Sequence, residues 1–191
     1  MIKKKLYKEI SKKWKGRIYH KYHAKTKELA ALERYAPVIK GKDVLEVGCN
    51  AGLLSYTICQ HAKSYVGLEK RQDYYEQALV TLKAIENPNA TFVNKRFKEY
   101  VEGPHQKPTA FFASYVMYHM RDAELDLLKT EIFPHCDTVL LFNRNGKREH
   151  QKNRYRFERL EDNVAFLSEC GFNALDVDES ESKFHVIVGR K

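Results

Sequence analysis

The stretch Lys42 to Gly52, KDVLEVGCNAG, constrains this chain more than any other. Its apolar run Val44-Leu45-Glu46-Val47 ends in Gly48-Cys49-Asn50-Ala51-Gly52, and Leu53-Leu54 follow. The pattern predicts a buried strand, a tight glycine turn and a helix N-terminus. Glycine suits such a turn because it accepts positive φ and carries no Cβ to block a ligand. A helix starting there offers unpaired backbone N–H groups to a polar ligand. A second strand, Ser64-Tyr65-Val66-Gly67-Leu68, ends in the acid Glu69. An acid about 20 residues beyond the glycines is placed to bind a ribose hydroxyl pair.

The rest of the chain alternates in the same way. Leu29, Leu32 and Ala36 share one face of a helix over 26–36, which Pro37 ends. Strands are expected at 43–47, 65–69, 90–94, 109–114 and 138–143. Helices are expected at 53–62, 72–85 (Tyr75, Ala78, Leu79 and Leu82 inward), 97–101, 123–133 and 160–170, with Gly171 as the last C-cap. Strands at 174–178 and 184–189 flank a polar turn. Alternating β and α implies a mainly parallel sheet with right-handed crossovers, here closed by an antiparallel hairpin. Ligands of such sheets bind beyond the carboxyl ends of the strands. The loops after Val47, Glu69, Asn94, Ser114 and Asn143 therefore frame the expected site.

At 191 residues the chain fits one domain with a real core. No apolar run reaches the roughly 20 residues that span a bilayer. The basic start MIKKKLYKEI has no hydrophobic core or cleavage site of a signal peptide. Cys49, Cys59, Cys136 and Cys170 are scattered without a C-x-x-C pair, which fits a reducing, cytoplasmic setting and argues against zinc or a disulfide framework. No His, Asp or Glu cluster has metal-ligand spacing, so no metal is expected in the chemistry.

The net charge is +9, and its distribution is uneven. Residues 1–27 hold eleven Lys or Arg against one acid, and 143–159 hold seven against two. Between them, 41–142 holds eleven against thirteen. A near-neutral core with two basic segments is an electrostatic footprint for a polyanion. Leu6, Ile10 and Trp14 form one apolar stripe on a basic amphipathic helix, which packs on the domain or meets a membrane surface or a partner, a lid over the site being the preferred reading. His20 and His23 follow, interleaved with Tyr19, Tyr22, Arg17 and Lys21. Aromatic faces beside cations suit stacked bases and phosphates. In the second basic segment Arg144, Lys147, Arg148 and Arg154 are candidate phosphate clamps, with Tyr155 and Phe157 as stacking partners.

The Glu46-x-Gly48-x-x-x-Gly52 spacing with Glu69 after the next strand closely resembles motif I of the class I S-adenosylmethionine (SAM)-dependent methyltransferases, over roughly residues 40–191. The resemblance implies a Rossmann-like, doubly wound α/β fold: a mainly parallel seven-stranded sheet with an antiparallel C-terminal hairpin, preceded by N-terminal helices. It divides the chain into a basic extension or lid, 1–40, and a methyltransferase domain, 41–191. It implies that Glu46, Gly48, Cys49, Asn50 and Gly52 shape the methionine cleft and that Glu69, with Lys70, holds the ribose. After strand three the family often carries an acid for the adenine amino group and then an apolar residue. Here the chain reads Asn94-Lys95-Arg96-Phe97. Arg96 stands in the acid's place, Asn94 is the alternative amide and Phe97 the packing surface.

Ser114-Tyr115-Val116-Met117-Tyr118-His119 resembles the V-L-x-H segment after strand four that lines both the SAM sulfur and the substrate pocket. His119, with Tyr118 or Tyr115, is the candidate catalytic group facing the methyl acceptor, because imidazole titrates near 6.5. Strand four is not followed by the Asn/Asp-Pro-Pro-Tyr of exocyclic-amine methylation or by Pro-Cys. It carries Phe111 and Phe112 but no Asp, which disfavours a cap-type ribose set. Tyr118-His119 and Cys170-Gly171-Phe172 faintly resemble the wobble-uridine tRNA methyl/carboxymethyl transferases. The expected function is SAM-dependent transfer to RNA, with tRNA a candidate and S-adenosylhomocysteine (SAH) as product. The alternatives are a small-molecule methyltransferase with the N-terminal segment as lid, and a non-catalytic nucleic-acid or partner-binding module of the same fold. Oligomeric state is open.

Overall fold

The computed structural model describes residues 26–144, 159–180 and 184–191. The element order is α1 (Thr26–Tyr35), a 3₁₀ turn (Ala36–Ile39), β1 (Asp43–Val47), α2 (Ser55–Cys59), β2 (Ser64–Leu68), α3 (Gln72–Leu82), β3 (Ala90–Val93), α4 (Phe97–Val101) and β4 (Ala110–Ser114). A 3₁₀ turn (Met117–His119), α5 (Asp122–Leu127), β5 (Thr138–Arg144), α6 (Leu160–Glu169), β6 (Ala174–Asp178) and β7 (Phe184–Arg190) follow. The seven strands form one sheet in the order β3-β2-β1-β4-β5-β7-β6. β1 to β5 pair in parallel, while β7 runs antiparallel to both β5 and β6. This is the expected mainly parallel sheet with its antiparallel hairpin.

Strand alternation divides the core in two. Val44, Phe112, Leu140 and Phe142 face one side with Leu29 and Leu32 of α1, Ile58 of α2 and Ala78 of α3. Leu45, Phe111, Leu141 and Ile187 face the other with Phe97 of α4, Leu125 of α5 and Leu167 of α6. Both faces of the parallel strands are covered, which accounts for their near-continuous apolar sequences.

Three helices differ from expectation. α2 is five residues, not ten, because Gly52 is still left-handed at φ 73° and the chain enters the helix only at Ser55. α3 stops at Leu82, short of Ile85: the Asn87 amide donates to the Cys59 and Ala62 carbonyls (3.1 and 2.9 Å), which draws the chain off the helix axis. The helix expected at 123–133 is α-helical to Leu127, then widens into a π turn over Leu128–Ile132 and a 3₁₀ turn over Phe133–His135. Pro134 cannot donate to Thr130, and its ring would press on that carbonyl.

Within the segment expected as an extension, Leu29, Ala31, Leu32, Ala36 and Ile39 are all buried in the core. Glu28 near the start of α1 bonds Tyr115 beyond β4, and Arg34 and Tyr35 at its end reach Asp178 at the end of β6. Ten residues of helix span about 15 Å, close to the roughly 14 Å of three strand spacings. α1 therefore crosses the sheet near its carboxyl edge. The amphipathic helix expected at 2–13, with Trp14, lies outside the described residues.

Asp178 locks the far end of α1. Its carboxylate accepts hydrogen bonds from Ser180 and from the Tyr35 hydroxyl, which with Arg34 hold its pKa down to about 2 from 3.8. A depressed carboxyl pKa contributes stability that is present above the unfolded value and lost as pH falls through the folded one. Between pH 3.8 and about 2 the wild type should therefore lose stability that Asp178→Asn does not lose. Melting temperatures of the two proteins across that range check this, and parallel curves would contradict it.

Candidate functional site

The glycine turn after β1 is held from several directions. The N–H groups of Gly48 and Cys49 both donate to the Leu68 carbonyl (2.8 and 3.0 Å), and Gly52 N–H donates to Cys49 O (3.0 Å). The Asn50 amide donates to Gly48 O (2.9 Å), and the Thr81 hydroxyl of α3 donates to Ala51 O (2.7 Å). Gly48, Asn50 and Gly52 have φ of 75°, 52° and 73°. This left-handed region favours glycine and tolerates asparagine. The turn's glycines also admit neighbours. A Cβ on Gly48 would lie 2.5 Å from Val116 Cγ2, and one on Gly52 would lie 2.9 Å from Phe92 Cζ.

These bonds correct one expectation. The N–H groups of Gly48, Cys49, Asn50 and Gly52 already have acceptors in the protein, and α2 is a single short, fully buried turn of helix. The anchoring group is a side chain instead. Glu69, 5% exposed, accepts from Asn50 N–H through Oε2 (3.0 Å) and from Arg71 N–H through Oε1 (2.8 Å). Each carboxylate oxygen has a second lone pair. Two backbone donors thus fix an acid at the lip of the turn with acceptor capacity left at both oxygens. That is the chemistry a vicinal diol needs.

Glu46 departs from the cleft-lining role expected of it. At 1% exposure, its Oε2 accepts hydrogen bonds from the Ser55 and Tyr65 hydroxyls (2.7 and 2.5 Å). It braces β1, β2 and α2 from within. Burial, then the Glu46 charge, pushes the Tyr65 phenol well above its ordinary range. Cys49 is buried too, and burial followed by Glu46 and Glu69 raises its thiol well up, so it is no ready nucleophile.

Across the cleft, Asn94 donates from its amide to Glu69 O (2.8 Å), tying the ends of β2 and β3 together. Phe97, 4% exposed, is part of the core on the α4 side instead of lining an open pocket. Arg96 is the residue before α4, its N–H bonded to Glu99 Oε2 (3.0 Å) and its side chain 68% exposed. The Arg96 guanidinium lies 3.9 Å from the Glu99 carboxylate on the exposed side of α4. Lys70 is exposed.

The segment after β4 abuts the turn through Val116 and Gly48. Tyr115 is left-handed at φ 59°, which costs a bulky residue of order 1–3 kcal/mol. Its N–H donates to Phe142 O (2.7 Å) and its hydroxyl to Glu28 of α1 (3.0 Å). Ser114 is 6% exposed, and its hydroxyl has no hydrogen-bond partner among the described residues. His119 is exposed on the 3₁₀ turn, its ring 4.2 Å from the half-buried Tyr118 ring.

The carboxyl edge thus gathers Gly48, Asn50, Gly52, Glu69, Asn94, Ser114 and Tyr115. Glu46, Cys49 and Phe97 stand behind it, and Lys70, Arg96 and His119 on its exposed rim. Glu28 and Thr81 were missed, since an acid in a first helical turn and a helical threonine carry no local signal. His20, His23, Lys147, Arg148, Arg154, Tyr155 and Phe157 lie outside the described residues, as does the side chain of Arg144. Among the described residues no group of three His, Cys, Asp or Glu side chains is arranged to hold a metal, and no helix is long and apolar enough to cross a membrane.

No family model matches the chain, and no curated protein matches it significantly. Solved structures do. The chain is similar to DhpI in its SAH complex, at 17% identity over 96% of this chain and 92% of that one, with a TM-score of 0.67. It is similar to SAM-bound magnesium protoporphyrin IX methyltransferase (ChlM) from Synechocystis PCC 6803, at 14% identity over 86% and 78%, TM-score 0.63. It is also similar to the methyltransferase domain of the bacterial protein CtHen1, at 14% identity over 86% and 97%, TM-score 0.63. At these identities the likeness is one of fold. The strand order, the reversed β7 and these likenesses together identify the fold as the Rossmann-like fold of the class I SAM-dependent methyltransferases.

Proposed function

We propose that this chain is a SAM-dependent methyltransferase whose cofactor lies along the Gly48–Gly52 turn with its ribose on Glu69. The observation that carries the reading is the Glu69 carboxylate, buried and held by the Asn50 and Arg71 N–H groups. The DhpI and ChlM structures contain SAH and SAM, which supports the same ligand here. Bound SAM supplies an activated methyl group on sulfur, with a neutral thioether as leaving group.

The chain's own residues then have three tasks. Gly48, Asn50 and Gly52 give the turn its left-handed path, and Thr81 and Leu68 keep it rigid. Asn94 fixes the backbone from which Glu69 projects. Tyr115, on the acceptor side, aligns the nucleophile. Orientation alone supplies much of the acceleration in such a transfer. His119, exposed beside Tyr118, is placed to take a proton from an acceptor approaching from solvent.

The acceptor we favour is RNA, with tRNA a candidate. Segment 1–25 joins the described structure at Thr26, two residues before Glu28, the partner of Tyr115. Segment 145–158 leaves from the carboxyl end of β5, beside β4. Both basic segments thus attach close to elements that Tyr115 bonds, through Glu28 and Phe142, which supports a polyanionic acceptor. Phosphate neutralisation makes such binding fall steeply with salt, by about 10³–10⁵ between 50 and 200 mM for six to ten contacts. Fluorescence-anisotropy binding of bulk tRNA should show that steepness. Salt-independent binding, or none, would favour a small-molecule acceptor, of which the porphyrin named for ChlM is one example.

A further inference from the structure

Glu28 is an acid on α1 with no local signal in the sequence, yet it ties that helix to the segment after β4 through the Tyr115 hydroxyl. Its partner is no ordinary tyrosine. Tyr115 is one of two non-glycine residues with positive φ among the described residues, and the other, Asn50, belongs to the cofactor turn. A bulky residue keeps such a backbone only when its surroundings over-determine it. Three contacts do so here: the N–H to Phe142 O, the hydroxyl to Glu28 Oε1, and packing of the ring against the core.

The neighbouring Ser114 points to a ligand at the same place. Its buried hydroxyl has no partner among the described residues, and strand alternation puts it on the Phe112 face of β4, the side that α1 covers. A buried hydroxyl without a partner is costly, and a ligand atom relieves it. α1 itself is fixed and not a hinged cover, since Tyr35 and Arg34 tie its far end to Asp178.

Resting on the methyltransferase reading, we propose that Glu28 is a positioning residue for the acceptor. It holds the Tyr115 hydroxyl, and with it the left-handed turn, so that Ser114, Tyr115 and α1 form one wall of the acceptor pocket beside the cofactor turn. Glu28 acts through Tyr115 and makes α1 part of the site.

The test uses the full chain and the variants Glu28→Ala, Glu28→Gln and Tyr115→Phe. Glutamine keeps an oxygen that accepts the tyrosine proton, whereas alanine and phenylalanine each remove one side of the bond. SAH affinity by calorimetry should stay within about twofold of wild type in all three, because Glu69 is untouched. Methyl transfer from tritiated SAM to bulk tRNA should fall about tenfold to hundredfold in kcat for Glu28→Ala and Tyr115→Phe, and recover with Glu28→Gln. Hydrogen exchange of the peptide covering residues 113–120 needs no acceptor. It should quicken in Glu28→Ala and Tyr115→Phe but not in Glu28→Gln. Unchanged exchange in all variants would overturn the proposal, as would wild-type turnover in Glu28→Ala. Loss of SAH affinity in step with turnover would also overturn it, by reducing the role to general stability. Failure of the wild type itself to bind SAH would instead sink the cofactor reading and leave the exchange result to decide on Glu28.

Discussion

Gly48→Val is expected to abolish SAH binding and to lower the melting temperature. Two costs combine. The backbone at φ 75° is left-handed, which costs a side chain about 1–2 kcal/mol, and more when it is β-branched. The added Cβ would also fall 2.5 Å from Val116 Cγ2, and such overpacking costs about 1–3 kcal/mol. At this chain length each kcal/mol lowers the melting temperature by about 2–4 °C, so a fall of roughly 5–15 °C is expected. The obstruction is Val116, a side chain of the segment after β4, before any ligand is considered. A Gly48→Ala protein should therefore regain part of its stability when Val116→Ala is added. Thermal melts of the single and double variants check this, and strict additivity would contradict the contact.

Glu69→Ala should leave the fold standing and remove most of the cofactor affinity. In the proposed function the carboxylate has two tasks in one place. It accepts the Asn50 and Arg71 N–H groups, which set the turn, and it keeps a lone pair on each oxygen for a ligand hydroxyl. Each hydrogen bond to a charged group is worth about 1.5–3 kcal/mol. Losing two from the ligand, about 3–6 kcal/mol, amounts to roughly a hundredfold to twenty-thousandfold in affinity. Glu69→Gln keeps one acceptor oxygen and should fall between. Calorimetry with SAH reads both variants, with circular dichroism to confirm folding. An affinity within twofold of wild type in Glu69→Ala would remove this residue from the site.

What could be read from the sequence followed from local pattern. The seven strands announce themselves as apolar runs closed by turns, and each lies within a residue of its expected bounds. Their mainly parallel pairing was legible because alternation of β and α leaves few topologies. Glu69 was legible for the same reason: its distance from the glycines is set by one βαβ unit. The helix ends were less so, because they are decided at a distance. α3 ends where Asn87 reaches the carbonyls of Cys59 and Ala62, and no window of sequence shows those bonds.

The site residues divide along the same line. Glu46 sits in the motif, but its direction is set by Tyr65, one strand away, and Ser55, one helix away. Arg96 looked like a cation in the adenine pocket. Its place just before α4 turns it outward and leaves Glu99 to bond its N–H. Glu28 and Tyr115 are 87 residues apart, and the sheet that joins them is the whole domain. Spacing identifies residues that act through the backbone of one turn. It is silent about side chains that meet only after folding.

The measurement that tests this account most directly is calorimetric titration of the 191-residue chain with SAH. Saturable one-to-one binding in the micromolar range is expected, with the enthalpy lost in Glu69→Ala. A folded protein that takes up no SAH would contradict the account, and the fold would then serve as a binding module without methyl transfer.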